Sequence, residues 1–227
     1  MFWLRRCFKF GWPLLAGLVI ASLALGTFAG LAAEVYERQA ISFDLAILNA
    51  LFTFESPALT AVMLVITTTA TLYVLGPVLL LLGFLRWRER RADAIALFVS
   101  TAGAFILNNI VKLIFERARP AVHPALVHAS GYSFPSGHSQ AALAFFGVLA
   151  YLLARRLAPQ YRIWPYIAAV IWILLVGLSR VYLVVHYPSD VLAAYTITLP
   201  WVMAVVAIHQ CYTPRVRGEE HKLIEAT

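Results

Sequence analysis

Charged side chains are scarce in this chain. They make up 13% of its 227 residues, where a soluble domain carries about 25%. That shortage excludes intrinsic disorder, a basic nucleic-acid-binding domain and an ordinary soluble enzyme. Acidic residues are the scarcer sign, 11 against 18 Lys and Arg, which leaves a net charge of +7. Cysteine is nearly absent, at two residues, so a disulfide framework is not supported. No internal repeat or low-complexity segment stands out, and no separate acidic or Cys/His cluster has the spacing of a metal site. What fills the chain instead is apolar: 62% hydrophobic residues and a mean hydropathy of +0.80. An integral membrane protein is the class that remains.

A helical span needs roughly 20 apolar residues, and six spans would use about 120. The fold class read from the sequence is therefore all-α: six transmembrane helices in one bundle and a single domain over 1–227. The expected spans are 12–33, 57–86, 92–115, 137–154, 163–183 and 189–210. A cleaved signal peptide competes for the first run, because Gly30-Leu31-Ala32 has cleavage-like spacing, but the run exceeds a typical signal core. Residues 34–56 read as a loop with a short interfacial helix. The 57–86 stretch is longer than the bilayer core and must tilt, kink or begin outside it.

Positive charge distributes unevenly over the alternate ends. Arg5, Arg6, Lys9, Arg86, Arg88, Arg90, Arg91, Arg155, Arg156, Arg162, Arg215, Arg217 and Lys222 share one side; Arg38, Lys112, Arg117, Arg119 and Arg180 share the other. The positive-inside rule then makes both termini cytoplasmic and puts Cys7 and Cys211 on the reducing face; the composition fits a bacterial inner membrane. Four of the five outer cations lie in or beside polar clusters. Charges at a membrane boundary are costly and usually functional, so chemistry is expected on the outer, periplasmic face.

Three clusters carry that expectation. The first closes the third span with Lys112, Arg119 and Pro120. Lys112 and Arg119 are seven apart, on one face of a continued helix, with Asn108 one turn earlier. Two cations suit a phosphate, one as a point charge and one as a planar fork; snorkelling at a span end is the ordinary alternative. On the same helix Glu116 is placed to pair with Lys112, and Arg117 points elsewhere, to the interface. The second cluster, Tyr132-Ser133-Phe134-Pro135-Ser136-Gly137-His138-Ser139, opens the fourth span. A turn into a helix N-terminus offers unpaired N–H groups to an anion. Gly137 permits close approach, Ser136 adds a hydroxyl and His138 can exchange a proton near neutral pH; a Ser cap beside an interfacial His reads equally well in isolation. The third runs from Ser179-Arg180 to His186 and Asp190. Asp190, four residues after His186 across a helix start that tolerates Pro188, can fix one imidazole nitrogen and leave the other as nucleophile or base.

In this order the clusters resemble the signature of the type 2 phosphatidic acid phosphatase family: K-x6-RP, PSGH and SR-x5-H-x3-D, spread here over 112–190. One departure is Ala121-Val122, where many members repeat an Arg-Pro. The resemblance implies a membrane phosphatase acting on a lipid phosphate, with membrane lipids as surroundings and no nucleic-acid partner. It implies that His186 forms a phosphohistidine, that Asp190 orients it, and that His138 protonates the leaving oxygen and then activates water. Lys112, Arg119, Arg180, Ser136 and Gly137 would bind the phosphate, without metal or other cofactor. Candidate substrates are undecaprenyl pyrophosphate, phosphatidylglycerol phosphate, phosphatidic acid and phosphorylated lipid A. A lipid phosphotransferase, a vanadate-dependent haloperoxidase and a non-catalytic carrier are the rival functions; the haloperoxidases of that signature are soluble, and a carrier leaves the signature unexplained. His123 and His128 read as plain loop residues, His209 as a residue without a partner, and Trp87, Trp164 and Trp201 as interfacial anchors.

Overall fold

A computed structural model describes residues 11–37, 42–69, 83 and 91–213. Its helices are α1 (Gly11–Tyr36), α2 (Ser42–Phe52), α3 (Pro57–Thr69), α4 (Arg91–Phe115), α5 (Gly137–Ala154), α6 (Ile163–Tyr182) and α7 (Pro188–Tyr212), with a 3-10 turn at Pro159–Tyr161 before α6. Among the described residues there is no strand. Among the described residues five helices are long and apolar enough to cross a membrane. The expected span 57–86 begins as α3, and its remainder, Gly83 apart, lies outside the described residues. So do Arg5, Arg6, Cys7, Lys9, Arg38, Arg86, Trp87, Arg88, Arg90, Arg215, Arg217 and Lys222. The short helix expected within 34–56 is present as α2.

Helix α5 is the hub. One side packs Ala144, Phe145, Val148 and Tyr151 against Leu97 and Ala104 of α4 and Val202 and Val205 of α7. The other packs Ala142 and Ala150 against Ile173 and Val176 of α6 and Met63 and Ile66 of α3. Lipid is as apolar as leucine, so helix association here depends on close packing and interhelical hydrogen bonds. Small residues make the closest approaches. A Cβ on Gly103 would stand 2.2 Å from the Trp201 ring, and one on Gly177 would stand 2.1 Å from the Tyr195 hydroxyl. Trp201 also donates to the Ser100 carbonyl at 3.1 Å. It is thus a packing residue within the bundle; Trp164 is largely exposed. Ser100 Oγ donates to Ala144 O at 2.8 Å, and Tyr195 to Ile173 O at 2.6 Å. Each such bond is worth about 0.6 kcal/mol in a bilayer. Leu15, Leu23, Val65, Phe105, Leu113 and Trp164 face outward as a lipid-contacting surface.

At the end where α4 and α6 finish and α5 and α7 begin, the connections fold inward. Phe134 is fully buried between α1, α4 and α7, its ring 5.0 Å from Phe115 and 6.0 Å from Phe28. Helix α2 lays Leu48 and Leu51 against Val181, Val184 and Val191, and its Asn49 Oδ1 accepts from His123 Nε2 at 2.8 Å. His123 also stacks on Phe52 at 3.9 Å. It therefore docks the long 116–136 connection onto α2 and is more than a plain loop residue.

Candidate active site

Helix α4 stops at Phe115 because Glu116 takes a left-handed backbone, φ 45°. That turn overturns the helical-face argument for Lys112 and Arg119. The two cations still converge, but Arg119 arrives on a returning loop. Glu116 accepts from the Tyr132 hydroxyl at 2.8 Å and does not bind Lys112, and that bond, with burial and the Glu116 charge, raises the Tyr132 pKa. Lys112 Nζ donates to Tyr132 O at 2.9 Å. Arg119 donates to the carbonyls of Ser130 at 2.8 Å, Gly131 at 3.0 Å and Val185 at 2.6 Å. Gly131 permits this collar of carbonyls with φ 70°.

The second cluster sits at the start of α5. Ser136 is its extended N-cap residue, fully buried, with its N–H on Asp190 O at 3.1 Å and its Oγ receiving the Ser139 hydroxyl at 2.9 Å. Asn108 Nδ2 donates to Pro135 O at 3.1 Å, fixing the turn from α4. A Cβ on Gly137 would stand 3.1 Å from Asn108 Oδ1, so glycine keeps this turn close to α4. His138 lies within electrostatic reach of Arg180, His186, Lys112 and Arg119.

The third cluster follows α6. Val184 N–H reaches Val181 O and Val185 N–H reaches Arg180 O, the bonding of a Schellman helix end. The left-handed position, normally glycine, is held by Val184 at φ 56°. A β-branched residue there is strained, at about 1–2 kcal/mol, and burial against Leu48 and Val191 holds it. Two residues on, His186 is buried with Nδ1 3.4 Å from Asp190 Oδ2 and Nε2 3.3 Å from Arg119 Nη1. Arg119 has only donors, so Nε2 is the lone-pair nitrogen and the proton sits on Nδ1, toward Asp190. Burial pushes the His186 pKa down to about 4; Asp190 opposes that shift, and Arg180 and Arg119 add to it. The imidazole is neutral at pH 7. Asp190 also caps α7, its Oδ2 accepting Tyr187 N–H at 2.9 Å. Arg180 is buried, with one Nη donating to Thr67 Oγ1 at 2.7 Å and Nε without a hydrogen-bond partner. All eight residues expected in the site from the sequence thus stand at one end of the bundle.

Four further residues join them that sequence reasoning missed: Thr67, Asp44, Arg117 and Ser189. Arg117 is not interfacial. Its guanidinium donates to Asp190 Oδ1 at 2.6 Å, Ser189 Oγ at 2.7 Å and Asp44 Oδ2 at 2.9 Å, and lies 4.0 Å over the Tyr187 ring. Asp44, also buried, accepts Ser189 N–H at 2.8 Å and Ser189 Oγ–H at 2.6 Å. A single charged residue within the mostly apolar stretch 41–52 was the available signal for Asp44.

Lone-pair imidazole, carboxylate, helix N-terminus and three cations at one bundle end match what a phosphate-handling family requires. A model of the PAP2 superfamily matches residues 93–214. The chain belongs to the PAP2 superfamily. Phosphatidylglycerophosphatase B of Bacillus subtilis (strain 168) is 35% identical over 175 residues, covering 76% of this chain and 86% of that one. The undecaprenyl-diphosphatase of Sulfolobus acidocaldarius is 29% identical over 189 residues, covering 81% and 84%. A crystal structure of a transmembrane PAP2 type phosphatidylglycerolphosphate phosphatase from Bacillus subtilis superposes with a TM-score of 0.77 at 32% identity, covering 86% of this chain and 98% of that one. These relatives are phosphatases, and this PAP2 chain is an integral membrane enzyme of that class.

Proposed function

We propose that this PAP2 protein hydrolyses the terminal phosphate of a membrane lipid at the outer, periplasmic face of a bacterial inner membrane, through a phosphohistidine on His186. The observation that carries the reading is the placement of His186, with Nδ1 3.4 Å from Asp190 Oδ2 and Nε2 3.3 Å from Arg119 Nη1, a group that can only donate. Nε2 attacks phosphorus and the bond to the lipid oxygen breaks. Lys112, Arg119, Arg180, Ser136 and the Gly137 amide hold the three phosphoryl oxygens, and His138, which takes up a proton as the negative phosphate enters, gives that proton to the departing alkoxide. Asp190 stabilises the positive ring. Water then attacks phosphorus, His138 takes its proton, and His186 leaves with its lone pair restored. Three cations neutralise the transition-state charge, and among the described residues no three His, Cys, Asp or Glu side chains converge as metal ligands.

The outer-face assignment rests on the cation count, with thirteen of the eighteen Lys and Arg on the side of both termini. Phosphatidylglycerol phosphate is the leading substrate, on the extent of similarity to the Bacillus phosphatase. The test is phosphate release by the purified protein from phosphatidylglycerol phosphate, phosphatidic acid and undecaprenyl diphosphate, with rapid-quench trapping of acid-labile, base-stable label. Activity lost to EDTA and restored by Mg²⁺, or no label on the wild type, overturns the mechanism.

A further inference from the structure

We propose that Arg117, anchored by Asp44 from outside the signature, is a positioning residue that sets the orientation and the charge felt by the Asp190–His186 pair. The inference rests on the phosphohistidine reading above.

The geometry is a chain of four groups. Asp44 Oδ2 takes one arm of Arg117 at 2.9 Å, and the other arm meets Asp190 Oδ1 at 2.6 Å. The second oxygen of Asp190 faces His186 Nδ1 at 3.4 Å and Tyr187 N–H at 2.9 Å. A carboxylate free to rotate could present either oxygen to the ring; Arg117 occupies one, so the other is fixed toward His186. The 3.4 Å contact is long for a hydrogen bond and leaves room to tighten as positive charge grows on the ring. Asp44 in turn accepts both the N–H and the hydroxyl of Ser189, in the first turn of α7. It satisfies one of that helix's orphan donors from another element. Arg117 is half-way between two carboxylates whose side chains are 1% and 0% exposed, and Tyr187 covers its face.

The charges facing His186 come from every neighbouring element: Asp190 from α7, Arg119 from the returning loop, Arg180 from α6 and His138 from α5. Arg117 and Asp44 lie behind Asp190. Arg117 reduces the negative charge that Asp190 presents to the ring. Its removal makes protonation of His186 easier, so the acid limb of kcat/KM moves to higher pH.

The experiment compares R117Q, R117K, D44N and the charge-balanced R117Q/D44N, each in wild-type and D190N backgrounds, for kcat, KM, pH profile and quenched phosphoenzyme. R117Q should lower kcat by about 10–100-fold with little change in KM, the usual cost of an outer partner that orients a reacting group, and should raise the acid limb. R117K should restore the limb more fully than the rate, because one ammonium cannot fork between Asp44 and Asp190. D44N, which leaves Arg117 on Asp190, should cost less. In the D190N background R117Q should add little, since residues acting through one another are not additive. If R117Q fails to fold with two buried carboxylates unpaired, R117Q/D44N removes one of them and carries the same expectations. Unchanged kcat and limb, or full additivity with D190N, overturns the inference. Absence of label on the wild type instead overturns the phosphohistidine reading and this inference with it, whatever Arg117 does.

Discussion

Two histidine–aspartate pairs stand at opposite ends of the bundle, and they differ in what is left for chemistry. At the end where α4 begins and α7 finishes, His209 Nε2 meets Asp93 at 2.9 Å. Its Nδ1 is met by the Tyr151 hydroxyl at 3.0 Å, and Thr213 and Arg155 crowd the same atom at 3.2 Å. Arg156 pairs with Asp93. Both nitrogens are taken by groups of α4, α5 and α7, so this pair is a fastener, and His209 does not lack a partner. His186 uses one nitrogen for its carboxylate and meets only a cation on the other. A histidine and an acid in contact therefore say little by themselves. The second nitrogen, and whether its neighbour can be exchanged for substrate, separates a catalytic pair from a structural one.

The comparison breaks first at the two histidines. His186→Ala should abolish turnover and phosphoenzyme, whereas His209→Ala should keep kcat near wild type and lower the thermal midpoint, both read on purified protein in detergent. A labelled His186→Ala enzyme would end the distinction. The acids come next. Asp190→Asn should lower kcat by on the order of 10³–10⁴ through the wrong tautomer, while Asp93→Asn should act on stability, by about 1–3 kcal/mol for a buried partner left unpaired. His138→Ala should cost about 10²–10⁴-fold on a lipid alkoxide and distinctly less on p-nitrophenyl phosphate, whose leaving group needs little protonation; equal losses would remove His138 from proton transfer. The smallest effect is on stability with pH. His186 has a folded pKa of about 4, below the ordinary value near 6.5. The unfolded chain thus binds more protons between those limits. Stability from this group is full above about pH 6.5 and is lost as pH falls toward 4. His186→Gln should flatten that part of a melting-temperature profile.

What the sequence could and could not reveal follows from how each contact is made. Lys112, Ser136, Gly137, His138, His186 and Asp190 were legible because their chemistry is local: a span end, a helix start, an i, i+4 pair. Arg117 was misplaced because helical phase was carried past Phe115, and one left-handed residue, Glu116, reset the direction of everything after it. Asp44 and Thr67 act across 73 and 113 residues, on Arg117 and Arg180. No local period encodes such pairs. The length of the apolar runs was legible as membrane-crossing helices, but the number of spans was not, since the 57–86 run is described only as far as Thr69 apart from Gly83.

The reach of Asp44 also bears on how the enzyme is made. Asp44 meets Ser189 across 145 residues. As the chain is synthesised, Asp44 and then Arg117 emerge long before α7 supplies the residues that complete their contacts. Non-local contacts of this kind form late in folding, after the loop entropy has been met. A membrane insertion intermediate ending after α6 contains Asp44, Lys112, Arg117, Arg119, His138 and Arg180 but lacks His186, Ser189 and Asp190. Seating α7 is what brings Ser189 and Asp190 onto Asp44 and Arg117, so the two distant parts of the chain meet at that step.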